Sequence, residues 1–255
     1  MSSRPNEDRV DQGPWYRRWF GETYLELYSH RDEDEASDAV ELLLRECPLN
    51  AGSPVLDLAC GAGRHLRRLN EHGLRTVGLD LSGPLLLRAR ALVPNERVVR
   101  ADMRALPFAS DRFEAVTSFF TSFGYFATEE DDSLVLSEIR RVLRDNGCLL
   151  LDFLNSKLVR STLSPRDENE VDGKRVVQER RVVDAGGAVE KTIRIESAEG
   201  GEPEIFHERV RLYSPDQLRA LMTGCGLTPH RWFGDYQGRD LADSAPRVIA
   251  FARAS

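Results

Sequence analysis

Apolar positions follow two rhythms along the chain. Between Trp15 and Cys47 they recur three and four residues apart, first as Trp19, Tyr24, Leu27 and Tyr28, then as Ala39, Val40, Leu43 and Leu44. That spacing predicts two helical stretches with a break at residues 32–34. PLNAGSP, residues 48–54, has the turn chemistry that ends the pair. From residue 55 short apolar runs alternate with helical ones. VLDLA (55–59), RTVGLD (75–80), RVVRAD (97–102), FEAVTSFF (113–120) and LLLDFL (149–154) read as strands. RHLRRLNEHG (64–73), LSGPLLLRARALV (81–93) and residues 129–144, with Leu134, Ile139, Val142 and Leu143 on one side, read as the helices between them. Strands joined by crossover helices predict an α/β fold, a parallel sheet with helices on both faces.

After Asn155 the pattern changes. KRVVQERRVV (174–183), AVEKTIRIES (188–197) and EIFHERVRLY (204–213), separated by glycine-rich turns, predict an antiparallel meander. SPDQLRALMTGCG (214–226) is a helix with Ser214 as its cap and Gly226 at its stop. LTPHRWFGDY and PRVIAFARA supply two last strands. The expected organisation is therefore a lead-in (1–14) without a signal-peptide core, a helical segment (15–48), an α/β core (49–155), a β insertion (156–213) and a closing segment (214–255).

Composition narrows the partners. The 255 residues carry 35 Lys plus Arg against 42 Asp plus Glu, a net charge of −7, which disfavours a polyphosphate partner. Residues 171–213 hold eight basic and nine acidic side chains, so the insertion is no RNA-binding patch. No run suggests a membrane span, and a cytoplasmic protein is expected. Cys47, Cys60, Cys148 and Cys225 lie far apart, which predicts four reduced thiols and no zinc site.

The chemistry concentrates in VLDLACGAGRH, residues 55–65, where a strand enters a glycine-containing loop and then a helix. Gly61 and Gly63 let backbone approach a ligand, and the helix start offers free amides. Asp80, at the end of the second strand, can accept hydrogen bonds from two ribose hydroxyls. Asp102, ending the third, can accept from an exocyclic adenine amine, with Met103 beside it to cover the ring. Asp57, inside the first strand, is a charge where an apolar residue would pack better, and it wants a cation or amide donors.

These segments, with FEAVTSFF and LRDNGCLLLDFLN, resemble the class I S-adenosylmethionine-dependent methyltransferases over roughly residues 50–155. The resemblance implies a Rossmann-like, seven-stranded, mostly parallel sheet and S-adenosyl-L-methionine as methyl donor, with no metal. It places the donor at Asp57, Ala59, Gly61 and Gly63, then Asp80 and Leu81, then Asp102 and Met103, with Phe119 closing the set. WYRRWFGETYLELYSH (15–30) resembles the leading helical lid of small-molecule members, which adds Tyr24 and Tyr28 to the donor site. TSFFTSFGYF (117–126) stands where nucleobase and glutamine enzymes carry an N/D-P-P-Y/F motif, and it is similar to the segment of aminosugar N-methylating enzymes. By that likeness Trp19, Phe120, Phe123, Tyr125 and, from the insertion, His207 face a small-molecule acceptor. Tyr125 is the candidate catalytic group, nitrogen is preferred over oxygen or carbon, and the insertion is a cap or a homodimer contact. His65, with Arg64, could point at the donor's carboxylate, whereas His30, His72 and His230 look superficial. Two alternatives stay open. An NAD-dependent oxidoreductase would want glycine at position 66, where the chain has Leu66. A non-catalytic regulator that binds S-adenosylmethionine would keep the same loop.

Overall fold

The computed structural model describes residues 14–28, 33–93, 97–197 and 200–255. The expected lead-in lies outside these except for Pro14, and so do His30 and Asp32. The N-terminal segment is three helices: α1 (Trp15–Trp19), α2 (Glu22–Leu27) and α3 (Glu33–Glu46). An extra break falls at Gly21, extended with φ −117° and ψ −156°.

The α/β core alternates as expected: β1 (Pro54–Leu58), α4 (Arg64–Glu71), β2 (Arg75–Asp80), α5 (Gly83–Leu92), β3 (Arg97–Arg100), β4 (Phe113–Ser118), α6 (Glu129–Val142) and β5 (Leu143–Leu154). After α7 (Ser156–Thr162), the insertion forms β6 (Arg166–Val171), β7 (Lys174–Val183), β8 (Ala188–Ser197) and β9 (Glu204–Arg211). Helix α8 (Pro215–Gly224), β10 (Leu227–Phe233) and β11 (Arg247–Ala254) close the chain. The main sheet is seven-stranded, in the order β10-β11-β5-β4-β1-β2-β3, and β6-β7-β8-β9 make a separate four-stranded sheet. Strands β1 to β5 pair in parallel, while β11 runs antiparallel to both β5 and β10. Every residue of β1 is buried, as a central parallel strand covered on both faces requires. The connections diverge on either side of β1, toward β2 and toward β4, which opens a crevice at the strand ends.

Four expectations need correction. Helix α6 turns Leu134 outward, 51% exposed, and buries Asp132 instead, where the Tyr213 hydroxyl donates to its carboxylate at 2.7 Å. Strand β3 stops at Arg100 and β4 at Ser118, so Asp102 and Phe119 lie on loops. Strand β6 is an additional one, written RDENEV; a charged edge strand carries no apolar alternation to betray it. Finally, Cys47 and Cys148 are bonded to each other, leaving Cys60 and Cys225 as free thiols. The end of α3 packs with β5 in one apolar cluster, which brings the two Cα atoms to 6.1 Å across 101 positions of sequence. No described helix is long and apolar enough to cross a membrane.

Candidate active site

A cavity of about 840 Å³ opens over the ends of β1, β2 and β4 and reaches under α1, α2 and the insertion sheet. That is near the upper limit for a single small-ligand site, about 300–1,000 Å³, and leaves room for two reactants to meet. Its floor is the loop after β1. Ala59 and Gly61 take left-handed backbone, φ 58° and 56°, and both line the cavity. A Cβ on Gly61 would meet only Leu85 Cδ1, at 4.0 Å, so the loop leaves its inner side free for a ligand. Gly63 serves a different purpose. It caps α4 at φ 87°, and a Cβ there would come within 3.0 Å of Ala89, so it allows α4 and α5 to pack; it does not line the cavity.

The strand ends bring their carboxylates to this floor. Asp80 accepts from the Gly61 amide at 2.9 Å and from the Ser82 amide at 2.8 Å, which couples the loop after β1 to the loop after β2. Burial raises its pKa, and the amide donors oppose the rise. Asp102 is half-buried and held by Arg104, whose Nη2 lies 2.8 Å from Oδ2 and whose Nε donates to Oδ1 at 3.1 Å. That guanidinium keeps the Asp102 carboxyl below the usual carboxylate range. Leu81 and Met103 line the cavity beside these acids.

The roof is aromatic. Tyr24 and Tyr28 line the cavity, and so does Phe20, whose carbonyl accepts from the Ser82 hydroxyl at 2.5 Å. Phe20 stacks on Tyr125 at 5.8 Å, and Trp15 meets the same ring edge-on at 5.0 Å. Phe119, Phe120 and Tyr125 all face the cavity, and Phe119 stacks on His65 at 4.4 Å. Phe120 and Thr121 hold consecutive left-handed conformations, φ 59° and 56°, a sparsely populated arrangement for residues with side chains. Three residues expected to face an acceptor are elsewhere. Trp19 is fully buried against Phe206 and the insertion sheet. Phe123 packs into the core with Phe153 and Tyr213. His207 is exposed on the outer face of β9, bonded to Thr192.

Comparison with known proteins adds to this geometry. A family described as a methyltransferase domain matches residues 55–147. The dTDP-3-amino-3,4,6-trideoxy-α-D-glucopyranose N,N-dimethyltransferase of Streptomyces venezuelae is 28% identical over 233 residues, 88% of this chain and 97% of that protein. A glycine/sarcosine N-methyltransferase of Parasynechococcus marenigrum is 29% identical over 254 residues, covering 93% and 88%. The S-adenosylmethionine-bound amino pentose methyltransferase of Micromonospora echinaspora shares the fold with a TM-score of 0.70 at 21% identity, over 92% of this chain and 97% of that one. Residues 55–147 form a methyltransferase domain, and the chain is similar to N-methyltransferases along most of their length.

Sequence reasoning missed several groups in the methyltransferase's cavity. Arg247 reaches it from β11, and Lys191 and Glu208 reach it from the insertion sheet. Phe20 and Arg17 come from the lid. Only the alternation of β8 and β9 could have flagged Lys191 and Glu208, as charges on a face written, apart from Glu204 at its edge, in Val, Ile and Phe.

Asp57 lies beneath the cavity floor, 1% exposed, with Oδ1 accepting from the Thr117 hydroxyl at 3.1 Å and Oδ2 without a hydrogen bond among the described residues. Burial pushes its pKa up to about 7. A carboxyl whose folded pKa exceeds its unfolded one binds more protons folded than unfolded, so its contribution to stability falls as pH rises between the two values. The ligand-free methyltransferase should therefore lose stability relative to Asp57→Asn between pH 5 and pH 8. The expected size is a few kcal/mol, at about 1.4 kcal/mol per pKa unit. Urea unfolding of both proteins across that range checks it; parallel curves would refute it.

Proposed function

We propose that this methyltransferase moves a methyl group from S-adenosylmethionine to the nitrogen of a small-molecule amine of the amino-sugar class. The observation that carries the reading is one continuous cavity, which joins the carboxylate-bearing strand ends to an aromatic and charged wall built by the lid, the loop after β4 and the insertion. The dTDP-aminosugar dimethyltransferase matches along 97% of its own length, which supports an acceptor of the same kind.

In this reading the first loop and Asp57 take the donor's amino-acid tail. The orphaned Oδ2 of Asp57 is the kind of buried acceptor that an ammonium group satisfies. Asp80 takes the ribose hydroxyls, and Asp102 with Met103 takes the base. Tyr24 and Tyr28 close over the donor, while Phe120 and Tyr125 bound the acceptor. The sulfonium supplies the methyl group. The amine lone pair forms the new N–C bond as the C–S bond pair stays on sulfur, so the positive charge moves from sulfur to nitrogen and one proton later passes to water. The chain's contribution is to exclude water and align the two partners, and a neutral amine needs no nucleophile from the protein. Arg17 lines the same cavity, and its charge helps keep Asp102 ionised.

S-adenosylhomocysteine at about 100 times its Kd should add about 2.7 kcal/mol of stability, visible as a raised Tm, and NAD should add none. With S-adenosylmethionine supplied, mass spectrometry of a panel containing dTDP-3-amino-3,6-dideoxyglucose, its 3-hydroxy counterpart and glycine should show methylation of the aminosugar alone. Tight donor binding with no transfer to any member would favour a regulator. Stabilisation by NAD would favour an oxidoreductase.

A further inference from the structure

We propose that Glu208, held in place by Lys191, recognises the acceptor's nitrogen, an inference that rests on the N-methylation reading. The inward face of β8 and β9 is apolar on either side of one charged pair, with Arg180 of β7 next to that pair and Glu204 at the far edge. Ile193 and Ile195 of β8 pack with Phe206 of β9 against Trp19, and Val189 and Val210 pack on the main core. Between these two sets Lys191 and Glu208 stand directly opposite each other across the strands. Their charges are 2.7 Å apart, with side chains only 17% and 19% exposed, and both line the cavity. Enclosing an ion pair in a face that flanking valines and isoleucines could fill brings little stability. Its position over the cavity is the reason to keep it.

The pair is also polarised toward a ligand. Lys191 Nζ meets Oε2 of Glu208 and donates to the Tyr28 hydroxyl at 3.4 Å. Oε1 of Glu208 has no hydrogen bond among the described residues, which leaves a carboxylate oxygen for an N–H donor. Placement favours the acceptor over the donor. The donor reading uses the ends of β1, β2 and β3, whereas β4 lies on the opposite side of β1. Strand β9 is stitched to the loop that follows β4, where the Arg211 amide donates to the Gly124 carbonyl at 2.9 Å. Glu208 lies three residues before that joint, on the inward face. A carboxylate beside the amine attracts its protonated form during binding and favours the positive charge that nitrogen gains on methylation.

The test titrates the enzyme, loaded with S-adenosylhomocysteine, with dTDP-3-amino-3,6-dideoxyglucose and with its 3-hydroxy counterpart. Wild type should prefer the aminosugar. Glu208→Gln should reduce that preference at least about 10-fold, the loss of one charged hydrogen bond. Affinity for the hydroxy compound and for S-adenosylhomocysteine should stay at wild-type values, and Glu208→Asp should restore part of the preference. A merely structural role would weaken both sugars alike in Glu208→Gln, and that equal loss would overturn the assignment. A preference kept in Glu208→Gln would overturn it as well. No preference in wild type would overturn the amine reading together with the inference that rests on it.

Discussion

Asp80→Ala is expected to weaken S-adenosylhomocysteine binding at least about 100-fold. In the proposed complex the carboxylate accepts from two ribose hydroxyls, and hydrogen bonds to a charged group contribute about 1.5–3 kcal/mol each. The loss of both is about 3 kcal/mol or more, two factors of ten in Kd at about 1.4 kcal/mol each. A second cost adds to this. Asp80 also anchors the Gly61 and Ser82 amides, so alanine removes the acceptor that joins the two loops forming the floor. Asp80→Asn separates these contributions. It keeps the size and one acceptor oxygen but turns an NH2 toward a backbone donor, so an intermediate loss is expected, with kcat falling less than affinity. Calorimetric titration at pH 7.5 measures both variants. An unchanged Kd in the alanine variant would overturn the placement of the donor across the strand ends.

The parts of this molecule that were legible in the sequence are those governed by near-neighbour rules. Strands β1, β2, β7 and β8 announce themselves through apolar runs or alternation, and the structure begins β7 and β8 where the pattern does. The loop after β1 is visible because a backbone at φ 56° favours glycine at position 61. What stayed hidden depends on groups far apart in the chain. The Arg104 guanidinium that folds back on Asp102 is not announced by the sequence, and Phe123 looks like a cavity residue until the left-handed turn at Phe120 and Thr121 sends it into the core. The Cys47–Cys148 bond and the Lys191–Glu208 pair depend on packing and register that no local window contains. Buried charge was legible in kind but not in partner. Asp57 stood out as a carboxylate in an apolar strand, whereas Asp152 passed unnoticed in LLLDFL because its cation, Arg247, is 95 residues away.

That second buried carboxylate sets the largest stability effect expected here. Asp152 is fully buried, and its Oδ2 accepts from the Arg247 guanidinium at 2.9 Å, the Tyr236 hydroxyl at 2.5 Å and the Phe120 amide at 2.6 Å. Arg247 also pairs with Glu35 and lies over the Phe120 and Tyr236 rings at 5.1 and 4.9 Å. Arg247→Met keeps most of the volume but strands the carboxylate without a cation, a change that costs about 3–5 kcal/mol. Burial already raises the Asp152 pKa, with the guanidinium opposing it, and removal of Arg247 raises it further. With a raised folded pKa the protonated form is the tolerated one, so the variant should lose the most stability at alkaline pH and recover part of it toward pH 5. Adding Asp152→Asn should return part of the loss at pH 8, since an amide can stay buried without charge. The same network holds the Phe120 amide at the strained turn on the cavity wall, so turnover of the amine acceptor should fall more than S-adenosylhomocysteine affinity. Urea unfolding at pH 5 and pH 8, with steady-state kinetics on the same preparations, tests the chain of cause. A loss below about 1 kcal/mol at pH 8, the level of an exposed ion pair, would mean that Arg247 does not compensate the buried charge.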